Sequence, residues 1–365
     1  MNVVVSGGGT AGHINPALAL ADELARRGHT VYFAGTPQGV ESRLVPQAGV
    51  PFTAFEAAGF NRSHPASIFH AVKLIAASTR KAKQWFAEIK PDVVVCFGGY
   101  VCIPVGRAAE QMGVPVVVHE QNSIMGMANK YLAKKAARVA LTYEVAGRGT
   151  VDPAKAVVTG NPVRRSVFDA TRETGRAYAG VPDDALMLVV FGGSLGARHI
   201  NTALAACKAD LLARPNLYVR HITGPKELDA VTAQLALTDE EAKRWTVVGY
   251  EDRMGQVLAA CDMVVSRAGA TSLAEISALQ IPALLVPYPY ATANHQATNA
   301  REYVAAGAAF EIDDDKVETP EFARLLGQLV DDASVRERMR AAAASFETGD
   351  AAAKLADVVS QAAKR

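Results

Sequence analysis

The stretch "VVVSGGGTAGHINP", residues 3–16, joins a short apolar run to a glycine-rich turn and then to a helical pattern. Glycines let the backbone turn tightly and approach a phosphate, and the free N–H groups at a helix N-terminus attract an anion. The order of strand, glycine turn and helix is therefore typical of a Rossmann-like unit that binds a phosphate group.

The same stretch satisfies the dinucleotide fingerprint G-x-G-x-x-G at Gly7, Gly9 and Gly12. An NAD site of this kind also needs an acidic residue about twenty residues further on, at the end of the second strand. Here the second predicted strand, "TVYFAG", ends at Gly35 without an acid, and Glu41 lies in the next segment. The pattern favours another phosphate ligand, with an NAD-dependent oxidoreductase as the alternative.

Short apolar runs alternate with helical patterns along the chain, which predicts an α/β fold with doubly wound parallel sheets. The predicted strands of the first half are "NVVVS", "TVYFAG", "DVVVCFG", "VPVVVHE" and "RVALT". Those of the second half are "LMLVVFG", "LYVRHI", "WTVVGY", "DMVVSR" and "PALLVP". After Thr319 the sequence is rich in alanine and helical, and no further strand is predicted.

A weak internal repeat divides the chain into two Rossmann-like domains. "VVVSGGGTAGHIN" and "LVVFGGSLGARHIN" share a strand, a glycine turn and a helix start. The matching residues are Gly8, Gly9, Thr10 and Gly12 in the first half and Gly192, Gly193, Ser194 and Gly196 in the second. An Asn-Pro dipeptide in "VTGNPVRRS" marks the boundary between them. We predict domains over residues 1–162 and 163–365, with a C-terminal helix that can pack back on the first domain.

The composition is that of an ordinary globular protein. Lys and Arg number 38 against 37 Asp and Glu, so the net charge of +1 creates no general attraction for nucleic acid. No apolar run approaches the roughly 18 residues of a membrane span, and no basic segment precedes the first strand as in a signal peptide. The four cysteines lack C-x-x-C or zinc-ligand spacing and are interpreted as reduced core thiols of a cytosolic protein.

His13 directly follows the last glycine of the first turn. With a pKa near 6.5, an imidazole at the edge of an anion site can take a proton from a sugar hydroxyl at neutral pH. The alternative is a first-turn histidine that only forms local hydrogen bonds.

A further strand, glycine turn and helix start occur in "MVVSRAGATSLAE", residues 263–275. Glu275 lies about one turn into this helix, where a carboxylate could reach a ribose diol. Ser272 and Glu275 also fit the S-x-x-E pattern of a capping box, which needs no ligand. The spacing alone leaves both interpretations open.

Six stretches, in this order and spacing, resemble the MurG family of bacterial N-acetylglucosaminyltransferases, which convert lipid I to lipid II. They are "FGGYV" (97–101), "HEQNSIMGMANK" (119–130), "GNPVR" (160–164), "GGSLGAR" (192–198), "RAGATSLAE" (267–275) and "NHQATNA" (294–300). The resemblance extends from the first glycine turn to about Ala306. It implies the GT-B fold, in which two Rossmann-like domains face each other across a cleft.

The resemblance implies that GlcNAc moves from UDP to the C4 hydroxyl of the muramic acid residue of lipid I, with inversion at the sugar carbon. Such a step needs a base for the acceptor hydroxyl, and the candidates are His13 and, second, Glu120. Helix N-termini, hydroxyls and a guanidinium can stabilise the departing diphosphate, so no metal and no cofactor are expected. "DDD" at 313–315 is interpreted as solvated surface.

The implied donor site binds UDP-GlcNAc chiefly through the second domain. Glu275 would bind the ribose, Arg164 the phosphates, and the backbone near Tyr250 and Glu251 the uracil. This chain has His295 and Gln296 where many relatives have two glutamines. The complete set is Thr10, Gly12, Asn122, Arg164, Ser194, Tyr250, Gly269, Ala270, Thr271, Glu275, His295, Gln296 and Asn299.

The implied acceptor site lies on the first domain and binds the diphosphate of lipid I. Its candidates are Gly8, Gly9, Gly98, Gly99, Tyr100 and Asn129. The alternatives are a related glycosyltransferase with another membrane acceptor, and a non-catalytic subunit that binds a nucleotide sugar.

Because lipid I is anchored in a bilayer, we expect a peripheral protein on the cytoplasmic face of the bacterial membrane, in contact with anionic lipid. Residues 60–90 fit, since basic and apolar side chains alternate there. The basic residues are Arg62, Lys73, Arg80, Lys81, Lys83 and Lys90; the apolar ones are Ile68, Phe69, Val72, Leu74, Ile75, Trp85 and Phe86. The alternative is a helix that packs on the core with a solvated basic side.

Overall fold

A computed structural model describes residues 1–57, 65–193, 195–346 and 350–364, and residues 65–70 only by their helical backbone. The chain forms two compact units. The first comprises Met1–Arg164 together with Thr348–Arg365, and the second is Arg165–Glu347. The division therefore falls two residues after the predicted boundary, and the C-terminal segment belongs to the first unit.

Seven described strands form the sheet of the first unit. They are β1 (Asn2–Ser6), β2 (Thr30–Gly35), β3 (Phe52–Ala54), β4 (Val93–Cys96), β5 (Val116–Glu120), β6 (Arg138–Leu141) and β7 (Ala156–Val158). All pair in parallel in the order β3-β2-β1-β4-β5-β6-β7. The sequence order reverses between β1 and β4, which is where ligands bind in open parallel sheets.

Helices cover both faces of this sheet. They are α1 (Ala11–Arg26), α2 (Glu41–Gln47), α3 (Pro65–Ile89), α4 (Cys102–Met112) and α5 (Met127–Ala133). Side chains of β1 alternate between the two faces: Val3 and Val5 pack with α1, whereas Val4 packs in the cluster that holds α3, α4 and α5. The central strands β1, β4 and β5 are buried on both faces, which explains their continuous valine runs.

Six described strands form the sheet of the second unit. They are β8 (Leu186–Phe191), β9 (Leu217–Ile222), β10 (Trp245–Val248), β11 (Met263–Ser266), β12 (Ala283–Leu285) and β13 (Ala309–Glu311). They are parallel in the order β10-β9-β8-β11-β12-β13. The reversal between β8 and β11 repeats the arrangement of the first sheet.

The second unit has eleven described α-helices, most of them between successive strands. In chain order they are α6 (Arg165–Phe168), α7 (Arg172–Ala179), α8 (Arg198–Ala206), α9 (Lys208–Leu212), α10 (Leu228–Leu235), α11 (Asp239–Ala242), α12 (Met254–Ala260), α13 (Ala270–Ala278), α14 (His295–Ala305), α15 (Pro320–Asp331) and α16 (Ala333–Ala343).

The final helix, α17 (Ala351–Ala363), joins the core of the first unit. Leu355 and Val359 are buried in the same apolar cluster as Leu20 of α1. At the end of α1, Arg27 donates to Asp357 at 2.5 Å. Apolar burial and an ion pair together attach the C-terminus to the first unit.

The predicted fold class is confirmed, since all ten predicted strands are present. Three strands were not predicted from the sequence: β3, β7 and β13. Each has three residues and lies at the edge of a sheet, so none needs a long apolar run. The four cysteines are buried free thiols. Within the described residues, no helix is long and apolar enough to cross a membrane.

Candidate active site

The first glycine turn interlocks with the turn after β4. The backbone N–H of Gly8 donates to the carbonyl of Gly98 at 3.2 Å. Gly99 has φ +85°, and a Cβ there would lie 2.5 Å from the carbonyl oxygen of Gly8. Only glycine fits this approach. Four of the predicted acceptor residues, Gly8, Gly9, Gly98 and Gly99, therefore lie together beyond the carboxyl ends of β1 and β4.

His13 lies in the first turn of α1, beside these glycines. Its Nδ1 is 2.8 Å from the carbonyl oxygen of Gly8. A carbonyl can only accept, so Nδ1 carries the hydrogen and the neutral ring keeps a lone pair on Nε2. The Nε2 atom faces Gly98, where a Cβ would approach it to 2.9 Å. The geometry prepares Nε2 to accept a proton.

Glu41 supports the first glycine turn, although the sequence patterns assigned it no role. Its buried carboxylate accepts from the N–H and hydroxyl of Thr36 at 2.9 and 2.6 Å, and from the N–H of Gly9 at 3.3 Å. The available signal was its place as the first acid after β2. The carboxylate fixes the turn from within the unit.

Glu120, the second candidate base, is surrounded by donors. One carboxylate oxygen accepts from the backbone and side-chain N–H groups of Asn122 at 3.0 and 3.3 Å. The other accepts from the N–H of Gly126 and the amide of Asn129, both at 2.9 Å. Four hydrogen bonds to its two oxygens hold the loop over residues 121–126. This geometry supports a positioning role rather than proton transfer.

Asn129, predicted to bind the acceptor diphosphate, lies beneath that loop. Besides Glu120, its amide group donates to the carbonyl of His119 at 3.0 Å. His119 is fully buried, and burial lowers its pKa to about 4. Its ring is therefore neutral at pH 7 and lies 3.0 Å from the carbonyl of Gly160 and from the amide of Gln121. Through these contacts, Asn129 and His119 both have a structural role within the first unit.

In the second unit, the glycine turn after β11 leads directly into α13. Gly269 is the N-cap residue, and no side chain caps the helix. Ser272 and Glu275 both lie inside the helix, so the capping-box interpretation is wrong. Glu275 is buried, and Asn299 of α14 donates to the carbonyl of Ala268 at 3.3 Å. The structure thus gathers Gly269, Ala270, Thr271 and Asn299 at the start of α13.

Gln296 has a fixed amide orientation. Its Oε1 accepts from the backbone N–H of Tyr288 at 3.0 Å. Its Nε2 lies 4.0 Å from the position of a Cβ on Gly269. The neighbouring His295 is engaged locally, with Nδ1 2.8 Å from the carbonyl of Thr292. Gln296 therefore presents N–H donors near the glycine turn.

The turn after β10 is held by a buried carboxylate. Glu251 accepts from Arg220 at 2.6 Å, from the hydroxyl of Tyr178 at 2.9 Å and from the N–H of Arg253 at 3.0 Å. Burial and the bond to Glu251 raise the pKa of Tyr178. The adjacent Tyr250, a predicted donor residue, has an exposed side chain. No local sequence pattern points to the Arg220 partner, which lies on β9.

The remaining predicted donor residues are separated in the chain. Thr10 is the exposed N-cap of α1, and Gly12 follows in its first turn. Arg164 is half-buried at the end of the first unit. Ser194 lies outside the described residues.

Asp313 and Asp315 are exposed, as the interpretation of residues 313–315 as solvated surface predicts, but Asp314 is not. Its carboxylate is mostly buried and lies 2.5 Å from the guanidinium of Arg267 and 2.7 Å from Nδ1 of His199. Arg267 also donates to the carbonyls of Val286 and Pro287. An ion-pair network, not a free acidic cluster, occupies this position. No three His, Cys, Asp or Glu side chains of the described ranges are grouped to hold a metal ion.

In helix α3, part of the apolar side that was predicted to meet the membrane is buried in the first unit instead. Phe86 and Ile75 are buried, and the ring of Trp85 packs 5.5 Å from that of Phe55. These apolar residues face the core, as the alternative interpretation had it. Val72, in contrast, is exposed. The side chains of Arg62, Ile68 and Phe69 lie outside the described residues.

Comparison with protein families gives two matches in chain order. Residues 3–141 match the glycosyltransferase family 28 N-terminal domain, and residues 187–356 match the glycosyltransferase family 28 C-terminal domain. The chain belongs to glycosyltransferase family 28. It is therefore a glycosyltransferase, and the resemblance drawn from the six sequence stretches is confirmed.

Relatives in this family match over nearly the whole chain. A protein of Halothermothrix orenii, named UDP-N-acetylglucosamine–N-acetylmuramyl-(pentapeptide) pyrophosphoryl-undecaprenol N-acetylglucosamine transferase, is 38% identical over 344 residues, which cover 93% of each chain. One of the same name from Bacillus subtilis is 38% identical over 368 residues, covering both chains completely. The crystal structure of Acinetobacter baumannii MurG superposes with a TM-score of 0.76 at 27% identity, with 99% of each chain covered.

Proposed function

We propose that this glycosyltransferase moves GlcNAc from UDP-GlcNAc to the C4 hydroxyl of the muramic acid residue of lipid I and so forms lipid II for peptidoglycan. One observation carries the proposal: relatives whose name states this transfer are 38% identical and cover between 93% and the whole of this chain. The alignment with these relatives spans both domains of this chain and nearly the full length of each relative.

His13 is the general base of the proposed reaction. Nε2 takes the proton of the acceptor hydroxyl while the oxygen attacks C1 of GlcNAc. The bond from C1 to the diphosphate oxygen breaks, its electron pair leaves with UDP, and the configuration at C1 inverts. The bond from Nδ1 to the carbonyl of Gly8 supports this role, because it keeps the lone pair on Nε2.

The second unit binds the donor in this proposal. The glycine turn at Gly269 offers the N-terminus of α13 to the diphosphate, whose charge grows as the bond breaks. Glu275 binds the ribose, and Gln296 donates to hydroxyls of the sugar. The bond from the N–H of Tyr288 to Oε1 supports that assignment, since it fixes which end of the amide presents the N–H donors.

The first unit binds the lipid-linked acceptor through Gly8, Gly9, Gly98 and Gly99, and it works at the cytoplasmic face of the bacterial membrane. Support comes from exposed basic residues along α3, including Lys73, Arg80 and Lys83. Each basic residue near an anionic leaflet contributes about 1 kcal/mol. Together they give a peripheral protein an attraction for such a surface.

The decisive experiment supplies radiolabelled UDP-GlcNAc with purified lipid I, with and without EDTA. We expect labelled lipid II in both reactions. Diacylglycerol serves as a second membrane acceptor, and no product is expected from it. Turnover of diacylglycerol but not lipid I would overturn the acceptor assignment. Loss of turnover with EDTA, restored by a divalent cation, would overturn the metal-free stabilisation of the leaving group.

A further inference from the structure

Asp314 lies where segments that follow three strands of the second unit meet. It comes shortly after β13, whereas Arg267 directly follows β11 and His199 lies in the first turn of α8, after β8. One carboxylate oxygen is 2.5 Å from the guanidinium of Arg267, and the other is 2.7 Å from Nδ1 of His199. The side chain of Asp314 is only 9% exposed. This carboxylate therefore joins three segments beyond the carboxyl edge of the sheet.

Arg267 extends these contacts to the loop after β12. Its guanidinium donates to the carbonyls of Val286 and Pro287, both at 3.2 Å, and lies 5.5 Å from the centre of the Tyr288 ring. A guanidinium is a rigid planar fork on a flexible stem, so a carboxylate that binds it sets the direction of its donors. Asp314 thereby fixes the group that holds this loop.

The same loop determines the orientation of Gln296. The backbone N–H of Tyr288 donates to Oε1 of Gln296 at 3.0 Å, so the position of the loop sets the direction of the amide group. A continuous series of contacts thus leads from Asp314 through Arg267 and the loop to Gln296. Its far end is the residue assigned above to the hydroxyls of the donor sugar.

We propose that Asp314 is a positioning residue for the GlcNAc part of the donor. It holds Arg267, Arg267 holds the loop after β12, and the loop directs the amide of Gln296 toward the sugar. The inference rests on the proposed function, which assigns Gln296 to GlcNAc. It adds that an acid after β13 contributes to recognition of the sugar but not of the nucleotide.

The test compares the binding of UDP-GlcNAc and of UDP by calorimetry. Asp314→Asn keeps the size of the side chain and removes the charge that fixes Arg267. The Kd for UDP-GlcNAc should rise about threefold to tenfold, the usual contribution of one hydrogen bond. UDP has no sugar and should bind as tightly as to the native protein. Equal weakening of both ligands, or of neither, would overturn the proposal.

A double-mutant cycle tests the route of the effect. Gln296→Leu removes the amide at the end of the series. If Asp314 acts through Gln296, Asp314→Asn should weaken binding of UDP-GlcNAc no further in the Gln296→Leu protein, because coupled residues are not additive. Fully additive effects would show that Asp314 acts on another part of the site, which contradicts the proposal.

The neighbouring Asp315 is a matched control, since it is exposed. Asp315→Asn removes the same charge and should leave the affinity for both ligands unchanged. If it weakens UDP-GlcNAc as much as Asp314→Asn does, the effect is one of general charge and the proposal fails.

A second variant covers the case in which Asp314→Asn does not fold, which thermal unfolding checks. The side chain of His199 is 51% exposed, so His199→Leu should fold, and it removes one partner of the carboxylate. It should weaken binding of UDP-GlcNAc but not of UDP. Native affinity for UDP-GlcNAc in a folded His199→Leu protein, with Asp314→Asn unfolded, would overturn the proposal.

Gln296→Leu alone separates this proposal from the proposed function. If it weakens binding of UDP-GlcNAc but a folded Asp314→Asn protein does not, the positioning role fails and the proposed function stands. If Gln296→Leu keeps the native affinity for UDP-GlcNAc, the sugar assignment of the proposed function is wrong, and the role of Asp314 falls with it.

Discussion

The Nδ1 atom of His13 lies 2.8 Å from the carbonyl oxygen of Gly8, five residues earlier in the chain. This contact fixes the tautomer of the ring and turns Nε2 toward the neighbouring Gly98. A histidine that only closed a local turn would not need open space at Nε2. Gly98 leaves that space because it has no Cβ, and its φ of +118° is one that glycine adopts readily.

The substitution His13→Asn separates the roles of the two ring nitrogens. The shorter amide side chain can still donate to the carbonyl of Gly8, but it places no group where Nε2 lies. We expect kcat to fall about 10²- to 10⁴-fold, the usual contribution of a general base. Binding of UDP-GlcNAc, measured by calorimetry, should change little.

The control for this variant is His29→Gln, at the opposite end of the same helix from the glycine turn. It should keep native kcat. A His13→Asn enzyme with more than a tenth of the native kcat would contradict the role of the imidazole as base.

Gly98→Ala tests the space beside that imidazole. A Cβ at residue 98 would displace Nε2 of His13, and the positive φ adds backbone strain. Gly113→Ala is the matched control, since φ is +74° there and nothing lies within 4 Å of an added Cβ. Both variants should lose roughly 1 kcal/mol or more of unfolding free energy in urea. Only Gly98→Ala should also lose at least about tenfold in kcat; equal kcat values would contradict the contact.

The sequence predicted the central strands and the glycine turns because both have local signals. A buried parallel strand is a run of Val and Ile, and a turn that approaches another backbone needs glycine. The edge strands β3 and β13 are too short for such a signal. Their positions depend on pairing with β2 and β12, which no local pattern encodes.

The candidate site was predictable where one residue carries the chemistry and unpredictable where partners come from distant segments. His13 and Glu275 stand at marked places after glycine turns. The carboxylate of Glu120, by contrast, is occupied by donors up to nine residues away, and Asp314 pairs with Arg267 across 47 positions of sequence. Such pairs arise from tertiary packing, so the sequence does not show which partner each charged side chain has.

Glu275→Gln should weaken donor binding more than it slows the chemical step. Hydrogen bonds to a charged group contribute about 1.5–3 kcal/mol, which corresponds to roughly a ten- to hundredfold higher KM for UDP-GlcNAc. Steady-state kinetics and calorimetry with UDP measure this directly. Glu302→Gln, at an exposed position of α14, is the control and should keep the native KM. An unchanged affinity for UDP in Glu275→Gln would remove the ribose assignment.

Two buried histidines, one in each unit, make stability depend on pH. Burial lowers the pKa of both His119 and His221 to about 4. In the unfolded chain these groups titrate near 6.5, so between about pH 6.5 and 4 the unfolded state binds more protons. The unfolding free energy should therefore fall as pH drops through this window, by up to about 1.4 kcal/mol per pH unit for each histidine, and should not depend on them above it.

Urea unfolding between pH 7 and 4.5 measures this slope, and the two tryptophans, Trp85 and Trp245, report on one unit each. His119→Gln and His221→Gln should each flatten the slope, even where they lower stability at pH 7. A native slope in both buried variants would mean that other groups, such as carboxylates in ion pairs, cause the loss of stability in acid, because protonation of a paired carboxylate also favours unfolding.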